Sequence, residues 1–151
     1  MYNVLYIGII VALFVVLVAT SLAKYDSRVT ISPEELIART IHFEAGCESV
    51  TGKLAVASVI YNRHADSADS WQEIILAKAQ FSCWNGPQDL CELIPGSEAA
   101  LCRSIAHDML TGEFEPIGPW THYYNPNLCD PSWAKSLQKV KNIGRHRFGV
   151  L

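Results

Sequence analysis

Two carboxylates four residues apart, Glu44 and Glu48, are the residues of this chain whose type and spacing indicate chemistry most directly. They lie in the stretch His-Phe-Glu-Ala-Gly-Cys-Glu, where an apolar helical pattern ends. Cleavage of a sugar–sugar bond needs a carboxylic acid that stays protonated near neutral pH, and a half-buried glutamate at a helix end suits that role. Glu44 is therefore a candidate general acid, although the helix pattern alone equally allows a structural salt bridge there.

The helix that would position Glu44 begins near residue 32. Segment 32–35 reads Ser-Pro-Glu-Glu, which combines an N-cap, a proline for the first turn and a capping box. Ile37, Ile41 and Glu44 follow at helical spacing, so Glu44 lies on the apolar stripe that faces the core. Burial on that stripe disfavours the ionised carboxylate and keeps it available as an acid. Gly46 indicates the helix end, so whether Glu48 shares the same face stays open.

The remaining pattern predicts a mainly α fold with a small β element. The capping box Ser-Trp-Gln-Glu opens a short helix at residue 70, and Gly112 ends a later helix. Stretch 81–87 contains Gly-Pro and indicates a loop. Helices are predicted over 51–63, 70–79, 97–110 and 133–140, and strands over 121–124 and 143–148.

Residues 4–23 form an uncharged apolar run, long enough to cross a bilayer as one helix. An uncleaved anchor is the simpler interpretation, because no Lys or Arg precedes the run. The alternative is secretion after cleavage near Ala23, since Ser-Leu-Ala resembles a cleavage site. Lys24 and Arg28 follow the run, and the positive-inside bias alone would keep the next domain in the cytoplasm, against an export interpretation.

Length and charge predict one domain behind this anchor. The expected organisation is a signal-anchor at 1–23, a linker at 24–31 and a single domain at 32–151, which has room for one core and not two. The net charge is −3, and there is no basic stripe, which argues against nucleic acid as a partner. We expect a monomer without a cofactor, and the histidines show no metal-binding spacing such as HExxH.

The cysteine content predicts an oxidising compartment. Five cysteines behind an export segment favour a disulfide, and three of them cluster in sequence. The connectivity stays open, and the absence of a CxxC pair argues against structural zinc. Cys47 could be a small buried hydrophobe, a disulfide partner or a reactive thiol. The five are Cys47, Cys83, Cys91, Cys102 and Cys129.

Six segments of the chain form an ordered set of motifs: 43–48, 52–63, 80–83, 121–124, 131–134 and 143–148. Together they resemble the SleB-type cell wall hydrolase family, whose members include spore cortex-lytic enzymes and phage lysins. The resemblance implies a lysozyme-like, lytic transglycosylase-like fold that cuts the glycan strands of peptidoglycan. The first glutamate of the family's Glu-Ala-x-x-Glu segment is its catalytic acid, which falls on Glu44 here. This chain has Gly46 and Cys47 where the family often has Arg-Gly. All six segments run in family order.

The resemblance also implies a mechanism. Glu44 would protonate the oxygen between N-acetylmuramic acid and N-acetylglucosamine, and either the muramyl 6-hydroxyl or an activated water would complete the reaction. Glu48 would support the site rather than act as its partner, since two neighbouring residues of one helix cannot flank opposite faces of a sugar. Trp133 is expected in the core. The candidate supporting or sugar-binding residues are Glu48, Trp84, His122, Tyr123 and Tyr124.

The anchor and the domain together resemble signal-arrest-release endolysins of phages. That resemblance implies an inner-membrane protein with its catalytic domain in the periplasm, released from the membrane for host cell lysis. Two other functions stay open. Cys47 followed by His122 is the order found in cysteine peptidases, which would cut stem peptides. A membrane-tethered wall-binding protein without catalysis is the third hypothesis.

Overall fold

The structure, a computed structural model, describes residues 31–85 and 96–151. The apolar run 4–23, residues 24–30 of the linker and Cys91 lie outside these ranges, so the membrane anchor stays a prediction. Within the two ranges, no helix combines the length and the apolar character needed to cross a bilayer. The helices are α1 Pro33–Ala45, α2 Val50–Ala65, α3 Trp71–Leu76 and α4 Gly96–Thr111, and the strands are β1 His122–Tyr124, β2 Gln138–Ile143 and β3 His146–Val150.

Helix α1 is the centre of the domain. Six consecutive residues, 36–41, are buried, so the helix is covered on all sides instead of along the single predicted stripe. It packs against α4, α2 and α3. The helix is therefore surrounded by other elements of the domain. Glu44, near the C-terminal end of the helix, is half-buried.

The predicted start of α1 is confirmed, but its capping box forms only by half. Ser32 Oγ accepts a hydrogen bond from the Glu35 N–H at 3.2 Å. The Glu35 carboxylate instead accepts from Arg39 Nε at 2.8 Å and from Arg103 Nε at 3.0 Å. Two charge-assisted bonds outweigh one bond to a backbone N–H, and they tie α1 to α4. The complete capping box predicted at Ser70 is present at the start of α3.

The helix predicted over 133–140 is wrong. A short 3-10 helix, Ser132–Ser136, is followed by strand β2, which pairs with β3 in an antiparallel hairpin. Gly144 closes the hairpin with a φ of +57°. Pairing with a distant strand decided the conformation here, and such pairing is invisible to local helical spacing.

The three-stranded sheet has the order β1-β3-β2, and α2 positions its first strand. Asn62 Nδ2 donates to the carbonyl oxygens of Gly118 and Trp120, both at 2.9 Å. In the sheet Tyr123 pairs with Phe148, whose side chain is fully buried. Directly opposed residues share a face, so Tyr123 also points towards the helices.

The predicted disulfide does not form among the four cysteines that the structure describes, all of which are free thiols. Cys83 and Cys102 are buried in the core, whereas Cys47 and Cys129 are exposed. Burial raises the pKa of both buried thiols, so both stay protonated, and Cys83 also lies beside the Glu44 carboxylate. Cys91 lies outside the described residues.

Candidate active site

Three donors converge on the carboxylate of Glu44. Its Oε1 accepts hydrogen bonds from the Cys83 N–H at 2.9 Å and from Ser82 Oγ at 3.1 Å. Its Oε2 accepts from the Tyr123 hydroxyl at 2.8 Å. The side chain at the end of α1 is thereby held by a loop from one side and by the sheet from the other.

The loop that holds Oε1 is docked by two buried aromatic side chains. Phe81, which precedes the 3-10 helix Ser82–Trp84, is 1% exposed, and Trp84, the last residue of that helix, is 4% exposed. The Trp84 indole N–H donates to Thr40 Oγ1 of α1 at 3.0 Å. Trp84 therefore anchors this loop in the core, where it is almost fully buried, and its predicted contact with sugar stays a prediction.

The donor set distinguishes the two oxygens of Glu44. A backbone N–H can only donate, so the bond from Cys83 keeps Oε1 an acceptor in either protonation state. A hydroxyl can donate or accept, so Tyr123 can reverse its bond and accept from a protonated Oε2. Burial raises the pKa of Tyr123, and the nearby Glu44 raises it further, so its hydroxyl keeps its proton. Oε2 is therefore the oxygen suited to carry the acid proton.

Glu44 opens into a cleft of about 520 Å³. One wall of this cleft is aromatic and consists of His122, Tyr124 and Trp133. The ring centroids of His122 and Tyr124 lie 5.5 and 5.6 Å from that of Trp133. Trp133 is only half-buried there, so its predicted place in the core is wrong. Tyr123 lines the same cleft but bonds to the acid, so its contact with sugar is not its main interaction.

Arg63 supplies positive charge to this cleft. Its Nε donates to the Thr121 carbonyl at 2.6 Å, and its guanidinium lies 5.1 Å from the Phe81 ring centroid. Nη1 is buried and has no hydrogen-bond partner within the described residues. Burial lowers the pKa of Arg63, while Tyr123 and Glu44 oppose that shift. A carbonyl or carboxylate of a ligand would relieve the unpaired N–H.

His122 keeps a structural contact inside the cleft. Its Nδ1 shares a hydrogen bond of 2.9 Å with Thr121 Oγ1. Burial lowers its pKa, and the charge of Arg63 acts in the same direction. The imidazole is therefore neutral near neutral pH and can bind sugar hydroxyls through its other nitrogen.

Glu48 is held by the β2–β3 turn. Its side chain is 5% exposed, and its Oε1 accepts from Arg145 Nε at 2.8 Å. Burial would raise the pKa of Glu48, but the hydrogen bonds from Arg145 and the charge of His146 lower it overall. A side chain at Gly144 would overlap Glu48 Oε2, so only glycine fits this close approach. The predicted supporting role of Glu48 matches these contacts and stays a prediction.

A second cleft of about 600 Å³ also reaches Glu44 and contains Cys47, Glu48 and Arg145. His122 lines the first cleft and Cys47 the second, so the two members of the hypothetical peptidase pair do not share a cleft among those described. In the part of the chain that the structure describes, no three His, Cys, Asp or Glu side chains are arranged to hold a metal.

Four residues of the site were not predicted as site residues. Ser82, Arg63 and Arg145 contact the two glutamates or line their clefts. His146 lies 3.9 Å from Glu48 and lines the cleft of Glu44. The only sequence signal for them was their place in the family segments, because their contacts depend on elements that are distant in the chain.

Comparison with known families and proteins gives a consistent result. Residues 47–149 match the cell wall hydrolase family, and the match begins three positions after Glu44. Spore cortex-lytic enzymes of Halalkalibacterium halodurans and Oceanobacillus iheyensis are 31% and 30% identical over 116 residues, which is 76% of this chain. The chain spans 33% and 40% of the length of these two relatives.

Two solved structures share the fold. The catalytic domain of the germination-specific lytic transglycosylase SleB from Bacillus anthracis has a TM-score of 0.62 and 25% identity, covering 83% of this chain and 97% of that domain. The catalytic domain of the Bacillus cereus SleB protein has a TM-score of 0.62 and 26% identity, covering 78% and 88%. The chain is thus similar to SleB catalytic domains over most of the described residues.

Proposed function

Because this chain belongs to the cell wall hydrolase family and has the fold of a SleB catalytic domain, we propose that it cleaves peptidoglycan glycan strands with Glu44 as the general acid. The bond cut is that between N-acetylmuramic acid and N-acetylglucosamine. One observation carries the assignment. Glu44 is the carboxylate that faces the 520 Å³ cleft, and Tyr123 and the loop at 82–83 hold it in place.

The composition of that cleft favours a transglycosylase over a hydrolase. Among its described lining residues, Glu44 is the only carboxylate. An inverting hydrolase needs a second carboxylate across the cleft, about 6.5–9.5 Å from the first, to activate water. Glu48 is already engaged by Arg145. The 6-hydroxyl of the muramyl residue is then the nucleophile, and the product carries a 1,6-anhydro end.

Mass analysis of digested sacculi tests the reaction. The full-length protein, kept in detergent, is incubated with sacculi and the released fragments are weighed. Muramyl ends lighter by one water support the transglycosylase, whereas ordinary reducing ends indicate a muramidase. New free amines would indicate the peptidase, and no release at all would favour a wall-binding protein.

Two substitutions test the assignment of the acid. Glu44→Gln keeps the shape and most hydrogen bonds of the side chain but cannot donate the proton, so glycan cleavage should be abolished. Glu113→Gln is a matched control, because Glu113 is exposed. Cys47→Ser should retain cleavage. Full activity of Glu44→Gln would sink the assignment.

The apolar run 4–23 supports a further part of the proposal, a tether to the inner membrane with the catalytic domain in the periplasm. The composition of the run also suits an endolysin that leaves the bilayer when the host is lysed. The test compares the protein in membrane vesicles with the same protein after release. Release should raise the rate of sacculus digestion strongly, and equal rates would contradict this part.

A further inference from the structure

His146 opens strand β3 and lies near both glutamates. Alternate residues of a strand share a face, so His146 points inward with Phe148. Its ring meets Tyr123 edge-on at 5.3 Å between centroids, and Tyr123 in turn bonds to Glu44. The His146 side chain is 14% exposed and lines the 520 Å³ cleft together with Glu44. The imidazole is therefore one aromatic ring away from the acid, on the same wall.

The two ring nitrogens of His146 have different surroundings. Nδ1 is buried without a hydrogen bond and lies 3.9 Å from Glu48 Oε1, whose position Arg145 holds. Nε2 makes no hydrogen bond to a described residue, and His146 lines the 520 Å³ cleft. A carboxylate facing Nδ1 favours the tautomer with the proton on Nδ1. The lone pair of Nε2 is then free, and the Nδ1 contact can shorten when substrate binds.

From this placement we propose that His146 is a second catalytic residue, the base that accepts the proton of the attacking sugar hydroxyl, and that Glu48 is its positioning residue. The inference rests on the proposed transglycosylase reaction. It explains why Glu48 lies beside the site although Glu44 is the acid. It also assigns a function to His146, a titratable side chain that takes no part in the acid step.

The proposed step is balanced in atoms and charge. Glu44 transfers its proton to the bridging oxygen, and the bond from that oxygen to C1 of the muramyl residue breaks with its electron pair on the oxygen. The 6-hydroxyl oxygen of the same residue forms the new bond to C1. Its proton passes to Nε2 of His146. The imidazolium then returns this proton to the Glu44 carboxylate through solvent, which restores both groups.

The stereochemistry of ring closure fits a base beside the acid. The 1,6-anhydro bridge forms on the face of the sugar from which the leaving oxygen departs. A base for this step must therefore lie on the same side as the acid, whereas a base for direct attack by water in an inverting hydrolase lies opposite it. His146 and Glu44 are on one wall, with Tyr123 between them.

The surroundings of His146 keep it neutral at the pH where a base is needed. Burial lowers its pKa, Arg145 acts in the same direction, and the charges of Glu48 and Glu44 oppose them with a smaller effect. Tyr123, the remaining titratable neighbour, is uncharged because its own pKa is raised by burial. Activity should therefore fall as acid protonates His146, below about pH 6.5.

The experiment measures the rate of anhydro-product release from sacculi against pH for the full-length protein in detergent. His146→Gln should lower the rate at neutral pH about 100-fold or more. It should also remove the acid limb of the profile, which is the fall in rate at low pH. His146→Ala should recover activity with added imidazole, in proportion to its neutral form. Glu48→Gln should move the acid limb to lower pH, since the charge that favours the imidazolium is lost. His107→Gln, an exposed histidine of α4, is the control and should match the wild type.

Two results would overturn the inference. One is an acid limb that persists in His146→Gln at near wild-type rate. The other is an NMR titration of His146 in the wild-type protein whose midpoint differs from that of the acid limb, and this measurement decides the matter even if the variants do not fold. The acid assignment is separate: inactive Glu44→Gln together with active His146→Gln would refute only the role of His146.

Discussion

The Tyr123 hydroxyl lies 2.8 Å from Glu44 Oε2, although the two residues are 79 positions apart in the chain. This bond joins the central helix to the sheet at the one oxygen of Glu44 that has no backbone donor among its described partners. The sheet therefore contributes directly to the position of the acid. Its strands are short, and their main consequence for the site is to bring Tyr123 and His146 beside α1.

Tyr123→Phe should slow catalysis without unfolding the protein. The substitution removes the hydrogen bond to the carboxylate that forms as Glu44 gives up its proton, worth about 1.5–3 kcal/mol, so kcat should fall about 10- to 150-fold. The rate of muropeptide release measures this effect, and thermal denaturation checks the fold. Tyr61→Phe is the control, because the Tyr61 ring packs against Trp71 and Phe114 and does not line the cleft. Equal losses in both variants would contradict a specific role for the Tyr123 hydroxyl.

Gly144→Ala should destabilise the domain more than Gly112→Ala. Both glycines have a positive φ, +57° and +81°, so each alanine costs about 1–2 kcal/mol of backbone strain. Only at Gly144 would the new methyl group overlap the Glu48 carboxylate, whereas Gly112 faces open space. Urea denaturation gives both free energies of unfolding. An equal loss at the two positions would show that Glu48 is not packed against the turn.

Two tryptophans should separate substrate binding from stability. Trp133→Ala removes part of the aromatic wall of the cleft, so KM for soluble glycan fragments should rise roughly tenfold, equivalent to about 1.4 kcal/mol of binding. The melting temperature should change little, because Trp133 is only half-buried. Trp84→Phe should have the opposite signature, since it loses the hydrogen bond to Thr40 in the core and about 1 kcal/mol of stability. A KM increase confined to Trp84→Phe would reverse this interpretation.

Stability should decrease steadily as the pH falls from 7 to acid. Burial lowers the pKa values of His122 and His146, so the folded state favours their neutral forms. This contribution is present above the ordinary histidine range, near pH 6.5, and is lost as the pH falls through it. Glu35 and Glu48 act at lower pH: burial would raise their pKa values, but bonds to arginines lower them overall.

The contribution of these two carboxylates is present above the ordinary glutamate range and is lost on acidification, so all four groups change stability in the same direction. Melting temperatures measured in matched buffers give the profile. A melting temperature that is highest at acid pH would contradict this prediction. His107→Gln is the control for the histidine contribution, because His107 is exposed, and it should leave the pH profile of the melting temperature unchanged.

Local patterns predicted the helical part of the fold well. The N-cap at Ser32, the capping box at Ser70 and the helix stop at Gly112 each depend on a few neighbouring residues, and the structure confirms all three. The C-terminal part was predicted less well. The stretch after Trp133 has helical spacing, but hydrogen bonds to β3 make it a strand, and a partner strand leaves no mark within the stretch itself.

The sequence by itself determined that a glutamate ends an apolar helix, since helical spacing and capping are local properties. It also carried the family segments in order. Only the tertiary structure decided what surrounds that glutamate: the Cys83 amide, the Tyr123 hydroxyl and, one ring further, His146. Hydrogen bonds and ionisation depend on distances of a few ångströms between groups that lie tens of positions apart. Chain spacing does not specify such distances, and the packing of the sheet and the loop onto α1 does.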